Sequence, residues 1–217
     1  MAAPINSLSW WNGYFERQWE AHDGRNQTRY FISLLVDHLG SRESNWLAAP
    51  GRSILDWGCA MGDGVDLLCT RFPEALVTGL DFSHTAIGKA AERYPRHNFQ
   101  LSEDGGLRTS YDAIITSNCL EHFPNPFEVA AGHLRYCKSL YIVMVPFREE
   151  HLHESHCVRF ELDTFPEAID GFRKVASICL RCDSPYWPGE QVIVTYGSAS
   201  YRGEIGLTNE PKGAVPW

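Results

Sequence analysis

The chain has 217 residues, enough for one domain with a substantial core, and its 44% hydrophobic and 21% charged residues are typical of a globular protein. A formal net charge of −8 without a basic run argues against a phosphate-binding surface, so we expect no nucleic-acid partner. No apolar stretch has the length of a membrane span, and the N-terminus lacks a signal-peptide pattern. We therefore expect a cytoplasmic protein without membrane contact, with its seven cysteines reduced.

The first 49 residues precede the first predicted strand and are rich in aromatic side chains. Apolar residues at helical spacing predict a helix over residues 30–39. The aromatic residues before it have polar neighbours, which makes a core position harder to assign to them. They are Trp10, Trp11, Tyr14, Phe15 and Trp19.

From residue 50 to about residue 200, strand and helix patterns alternate. Buried strands are predicted from residue 53 and over residues 76–80, 98–101, 112–116 and 140–145, with helices over 65–72, 83–93 and 126–136. This alternation predicts a doubly wound, mainly parallel α/β sheet in a single domain. A short helix over residues 164–172 and a closing hairpin pair, 175–180 with 192–196, follow. Residues 201–217 are predicted to form an irregular tail.

The strand from residue 53 ends in an acid and a glycine-rich turn, Leu-Asp-Trp-Gly-Cys-Ala-Met-Gly at residues 55–62. A turn of this kind brings backbone N–H groups close to a ligand, and a helix start behind it adds unpaired donors. The next strand ends at Asp81, 23 positions after Gly58, near the roughly 20-residue offset of an acid that binds ribose hydroxyls. Both features indicate a nucleotide-type cofactor, which dehydrogenases also bind in this way.

A third segment separates the two cofactor classes. The strand predicted over residues 112–116 is followed by Asn-Cys-Leu-Glu-His at residues 118–122 and then by Phe-Pro-Asn-Pro. Together the three segments resemble those of class I S-adenosylmethionine-dependent methyltransferases over about residues 50–147. The resemblance implies a seven-stranded Rossmann-like sheet with an antiparallel last strand, and an N-terminal helical lid over residues 1–49.

The resemblance also implies a set of cofactor-binding residues for S-adenosylmethionine. Asp56 and the turn would hold the methionine portion, Asp81 the ribose, and Phe82 the adenine. Either Glu103 or Asp104 would reach the adenine amino group. The remaining members are Gly58, Cys59, Ala60 and Gly62 of the turn, and Asn118, Cys119 and Leu120 after the fourth strand. Ala60 replaces the usual middle glycine, and we expect a negative φ there.

Candidate catalytic residues are histidines at the same edge of the sheet. The loop at residues 149–160 contains His151, His153 and His156, and His122 ends the Leu-Glu-His triplet. Histidine is the side chain best suited to act as a base near neutral pH, so we expect one of these four to deprotonate or orient the acceptor. A metal site and a plain polar loop are alternative interpretations of this segment. We favour the base and predict no bound metal.

The sequence therefore predicts transfer of a methyl group to a small polar acceptor, such as a hydroxyl of a sugar or secondary metabolite. A small amine is the alternative acceptor. Two interpretations of other classes are a nicotinamide-dependent oxidoreductase, for which no Tyr-x-x-x-Lys motif is recognised, and a non-catalytic binding protein on a methyltransferase fold. The sequence leaves the oligomeric state open.

Overall fold

The fold is built on one eight-stranded sheet, seen in a computed structural model that describes residues 3–102, 104 and 106–206. The strand order is β3-β2-β1-β4-β5-β8-β7-β6. Strands β1 to β5 are parallel, whereas β8 runs antiparallel to β5 and β7 antiparallel to β8. The bounds are β1 Ser53–Trp57, β2 Leu76–Asp81, β3 Asn98–Leu101, β4 Tyr111–Ser117, β5 Cys137–Phe147, β6 Ala168–Ile169, β7 Phe172–Arg181 and β8 Glu190–Gly197.

Helices cover both faces of this sheet, as its alternating elements predict. Helices α2, α3, α4 and α7 pack with the apolar side chains of one face, and α6 packs with those of the other. Because β5 is covered on both sides, ten of its eleven residues are buried, which explains its continuous apolar sequence. The bounds are α1 Leu8–Arg17, α2 Gly24–His38, α3 Ser41–Leu47, α4 Asp63–Arg71, α5 His84–Arg93, α6 Pro126–Leu134 and α7 Ala199–Glu204. Across the described residues, every helix is too short or too polar to cross a membrane.

The predicted helix over residues 164–172 is wrong. A 3₁₀ turn at Leu162–Thr164 is followed instead by β6, which forms a hairpin with β7 and raises the strand count from seven to eight. Pro166 lacks an N–H and disfavours helical geometry in the residue before it. Asp170 and Gly171 then adopt φ values of 43° and 84°, the left-handed geometry of a two-residue hairpin turn.

The predicted irregular tail starts within a helix, and its residues 207–217 lie outside the described part of the chain. Helix α7 continues to Glu204 and is capped by Ser198, whose Oγ accepts a hydrogen bond from Tyr201 N at 3.2 Å. Tyr201 is fully buried, and its hydroxyl donates to Glu43 Oε1 at 3.2 Å. An isolated aromatic residue among small and polar neighbours gives a weak helical pattern, so only the packing reveals this helix.

Candidate active site

The carboxyl ends of β1, β2 and β4 open into one cavity of about 1170 Å³. Because parallel strands end at the same sheet edge, this topology brings their terminal polar residues together. Most of the predicted cofactor residues line the cavity: Asp56, Gly58, Cys59, Ala60, Asp81, Phe82, Asp104, Asn118 and Cys119. Gly62 and Leu120 are not in its lining, and Glu103 lies outside the described residues.

The turn after β1 depends on glycine at its first position. Gly58 has a φ of 80°, and its N–H donates to Leu80 O at 2.8 Å, which ties the turn to β2. A Cβ at this position would lie 2.3 Å from Cys119 Sγ. Only glycine therefore fits between the two strand ends without displacement of a neighbour.

Ala60 departs from its predicted geometry. Its φ is +48°, so the expectation of a negative φ is wrong. The left-handed conformation costs an alanine about 1 kcal/mol. It directs the Ala60 N–H to Asp81 Oδ2 at 3.0 Å, and this buried, charge-assisted hydrogen bond offsets the cost.

Two buried carboxyl groups give the cavity its electrostatic character. Burial, with the negative charge of Asp81 adding to it, raises the pKa of Asp56 to about 7. Burial also raises the pKa of Asp81 to about 6, although backbone N–H groups of Ser83 and Ala60 lower it in part. Such groups favour a ligand that supplies positive charge or hydroxyl donors, since either stabilises the ionised form.

The wall beyond β2 and β3 suits a flat nucleobase. Phe82 and Leu107 supply apolar surface, and Asp104 lies beside them in the cavity lining. The Asp104 carboxylate is oriented locally, since its Oδ1 accepts from Ser102 Oγ at 2.9 Å and from Gly106 N at 3.0 Å. Asp104 therefore stays a candidate for the adenine amino group, and the other candidate, Glu103, lies outside the described residues.

Helix α1 lies over the cavity, where the N-terminal lid is predicted. Asn12 Oδ1 accepts from Ser83 Oγ at 2.6 Å, and Lys89 Nζ donates to Phe15 O at 2.9 Å, so α1 is fastened to α5. Trp10, Trp11 and Tyr14 line the cavity from above. These three aromatic residues thus form a cover, whereas Phe15 and Trp19 are buried in a hydrophobic cluster. Whether α1 moves on ligand binding stays a prediction.

The opposite wall contains two histidine rings at a centroid separation of 5.2 Å, those of His122 and His156. His122 Nδ1 lies 3.0 Å from Ser155 O, and a carbonyl oxygen only accepts, so Nδ1 carries the proton. His156 Nδ1 lies 2.8 Å from Glu149 Oε1, which fixes the same tautomer. The neutral form of each ring therefore has its lone pair on Nε2.

The remaining two candidate histidines differ in position. His153 is exposed but lines the cavity, and its Nδ1 lies 2.9 Å from Ser155 Oγ. His151 is exposed and lies outside the cavity lining. Burial lowers the pKa of His122 to about 4, so this ring is neutral at physiological pH.

Sequence reasoning missed three residues on this wall. Glu121 lines the cavity, is 1% exposed, and its Oε2 has no hydrogen-bond partner. Burial raises its pKa to about 8. Asn6 Nδ2 donates to Ser155 O at 2.7 Å, and Trp187 packs against the His156 ring. Only Glu121 had a sequence signal, namely its place beside His122 at a strand end.

Strand order and cavity position together define the class I methyltransferase fold, and comparison with known proteins agrees. A methyltransferase-domain family model matches residues 55–139. A trans-aconitate 2-methyltransferase of Deinococcus radiodurans is 29% identical over 58% of this chain and 49% of its own length. A second, from Rhodopseudomonas palustris, is 46% identical over 25% of this chain and 21% of its own length. The chain thus spans at most about half of these relatives.

Solved structures share the fold. The magnesium protoporphyrin IX methyltransferase of Synechocystis, solved with bound SAH, matches with a TM-score of 0.68 over 89% of this chain and all of its own, at 16% identity. The plantazolicin methyltransferase, also with SAH, matches with a TM-score of 0.61 over 87% and 94% of the two chains, at 14% identity. A methyltransferase-domain model thus matches the segment from β1 into β5, which agrees with the resemblance to class I S-adenosylmethionine-dependent methyltransferases found in the sequence.

Proposed function

We propose that the protein transfers a methyl group from S-adenosylmethionine to a hydroxyl of a small polar acceptor. The observation that carries the proposal is a single cavity with two chemically distinct walls. Buried carboxyl groups and a glycine turn form one wall, and paired histidines form the other. The family match supports the reaction class, and the SAH bound in the two solved relatives supports the cofactor.

The residues of the first wall fit this cofactor. S-adenosylmethionine supplies an electrophilic methyl group on a sulfonium, together with an ammonium and two ribose hydroxyls. The Gly58 turn leaves a cradle that a side chain would fill. Asp81 can accept the ribose hydroxyls, because each carboxylate oxygen has more than one lone pair. Asp56 offsets positive charge in a buried site.

The residues of the second wall bind and orient the acceptor. Both Nε2 atoms are held as hydrogen-bond acceptors by the groups behind the rings, so a hydroxyl can donate its proton to this wall. Helix α1 excludes water from above. Positioning of the two reactants and removal of the hydroxyl proton are what an in-line methyl transfer requires of a protein.

Charge in the cavity argues against an acceptor with several carboxylates. The described lining includes six acids, Asp56, Asp81, Asp104, Glu121, Glu128 and Glu154, but a single arginine, Arg135. The relatives named for trans-aconitate nevertheless make a carboxylate the first alternative to a hydroxyl. A small amine is the second.

An acceptor screen tests the reaction. The purified chain and methyl-labelled S-adenosylmethionine are incubated with matched neutral polyols, amines and di- or tricarboxylates. We expect transfer to members of the hydroxyl set. Turnover confined to carboxylates or amines would contradict the hydroxyl assignment, and binding of a nicotinamide dinucleotide without binding of S-adenosylmethionine would contradict the reaction class.

Replacement of Asp81 by alanine should weaken binding of S-adenosylmethionine and its demethylated product by about 10- to 150-fold. The ribose hydroxyls lose a charged acceptor, which costs on the order of 1.5–3 kcal/mol. Calorimetry on the folded variant measures the loss. The pKa values of Asp81 and Asp56 are about 6 and about 7, and the ionised carboxylates are the forms that bind the cofactor. The affinity of the wild type for S-adenosylmethionine should therefore rise as the pH rises through this range.

Asp81→Asn is the matched control for that titration. It keeps the side-chain shape and removes one of the two titrating groups, so the pH dependence should become shallower as well as the affinity lower. An Asp81→Asn variant with wild-type affinity and an unchanged pH profile would remove Asp81 from the cofactor site.

A further inference from the structure

The acceptor wall contains three potential metal ligands that converge without contacting one another. One ligand atom each from Glu121, His122 and His156 lies within 4.8 Å of the other two. No hydrogen bond joins any pair of these residues among the contacts of the described chain. One cation would bind all three of these atoms together in a mostly buried site.

Each imidazole is held as a metal-binding histidine usually is. In both rings Nδ1–H donates to an oxygen behind it, Ser155 O for His122 and Glu149 for His156. This arrangement fixes the Nε2 tautomer and raises ligand basicity, which is the common outer-shell pattern of metal sites. The Glu149–His156 pair is itself buried, with side chains 3% and 7% exposed.

Glu121 gives an independent indication of a ligand. Its side chain is 1% exposed and lines the cavity, yet its Oε2 has no hydrogen-bond partner. A buried carboxyl oxygen without a partner is costly and needs a reason. Its backbone is fixed by the loop opposite, because Glu121 O accepts from Cys157 N at 2.7 Å, and this bond also holds the His156 loop against His122.

We propose that Glu121, His122 and His156 bind a divalent transition-metal ion. Ligands at about 2.1 Å from one ion lie about 3.0–3.4 Å apart, so small movements of side chains whose ligand atoms already lie within 4.8 Å of one another would close the set. Two imidazoles and one carboxylate suit zinc, manganese, cobalt or iron rather than magnesium, which prefers oxygen ligands and waters.

Three protein ligands leave coordination positions open toward the cavity. With both Nε2 lone pairs bound to the ion, an oxygen of the acceptor would take one of these positions, and the ion in place of the imidazoles would orient the hydroxyl and make it more acidic. This assignment of the open positions rests on the proposed function, whereas metal binding itself does not. The metal site considered from the sequence was confined to the loop at residues 149–160 and did not include Glu121 or His122.

Metal titration of the full chain tests the site directly. Chelator-treated, desalted protein is titrated with Zn²⁺ by calorimetry and with Co²⁺ by visible absorption, whose ligand-field bands report coordination. We expect one equivalent to bind and to raise the thermal midpoint, since the ion binds the folded state. Glu121→Gln and His156→Ala should each weaken binding at least about 100-fold, and Glu149→Gln about 10–100-fold, because the carboxylate that orients the His156 ring is lost.

His151→Ala is the matched control, because it removes a histidine of the same loop outside the cavity and should leave metal affinity unchanged. Glu121→Gln keeps the side-chain volume, so it provides the test of metal binding if His156→Ala does not fold. Binding below one equivalent, or equal affinity in wild type and Glu121→Gln, overturns the metal site. Calorimetry of S-adenosylmethionine with metal-free protein runs in parallel. If one equivalent of metal binds but S-adenosylmethionine does not, the proposed function is contradicted and the metal site is not.

Discussion

Replacement of His156 by alanine should lower turnover about 10²- to 10⁴-fold at saturating cofactor. The ring presents Nε2 to the acceptor wall, and removal of a group that takes or polarises the acceptor proton costs this much in general acid–base catalysis. Cofactor affinity should stay near wild type, because the carboxylates and the glycine turn lie on the other wall. Single-turnover kinetics with labelled cofactor, together with calorimetry, separate the two effects.

Three further variants define the role of the ring. His151→Ala should keep wild-type turnover, since this histidine is exposed and outside the cavity. His122→Ala should resemble His156→Ala, because the two rings share the wall. Glu149→Gln leaves the ring in place but weakens its orientation, so turnover should fall by less, with a shifted pH profile. If His122→Ala and His156→Ala both retain wild-type turnover, positioning alone drives the transfer.

The sequence predicted the parallel part of the fold because its signals are local. β1 and β2 are short apolar runs that end at a glycine and at an acid, and helix α5 after them is capped by Ser83, whose Oγ accepts from Ala86 N at 3.1 Å. The same locality placed Asp56 and Asp81 at the carboxyl edge. Periodicity and spacing were sufficient to predict the strands and helices wherever the structure repeats one βα unit.

The features that the sequence did not predict depend on distant partners. Ala60 adopts a positive φ because its N–H reaches Asp81, 21 residues away. The tautomers of His122 and His156 follow from Ser155 and Glu149, which no spacing rule connects with a catalytic site. Glu121 has a distinctive environment only after folding buries it beside two rings. The hairpin at Asp170 and Gly171 had a local signal, but the apolar pattern over residues 164–172 was interpreted as helical.

Substitution of Gly58 by alanine should weaken cofactor binding about 10- to 100-fold and lower the midpoint of thermal unfolding. The added Cβ meets Cys119 Sγ at 2.3 Å, and the φ of 80° adds strain of about 1–2 kcal/mol for a residue with a side chain. An overpacked contact of this kind typically costs about 1–3 kcal/mol. The turn must therefore move away from the geometry that cradles the ligand.

The double variant Gly58→Ala with Cys119→Ala separates the two causes. Removal of Sγ leaves Cys119 Cβ, 3.4 Å from the new methyl group, as the nearest atom, so the steric part of the loss should be recovered while the backbone strain remains. Cys119→Ala alone is the reference, and the coupling free energy of the cycle gives the steric contribution. Equal affinities of the single Gly58→Ala variant and the double variant would assign the whole loss to backbone strain. Wild-type affinity in Gly58→Ala would mean that this turn does not contact the cofactor.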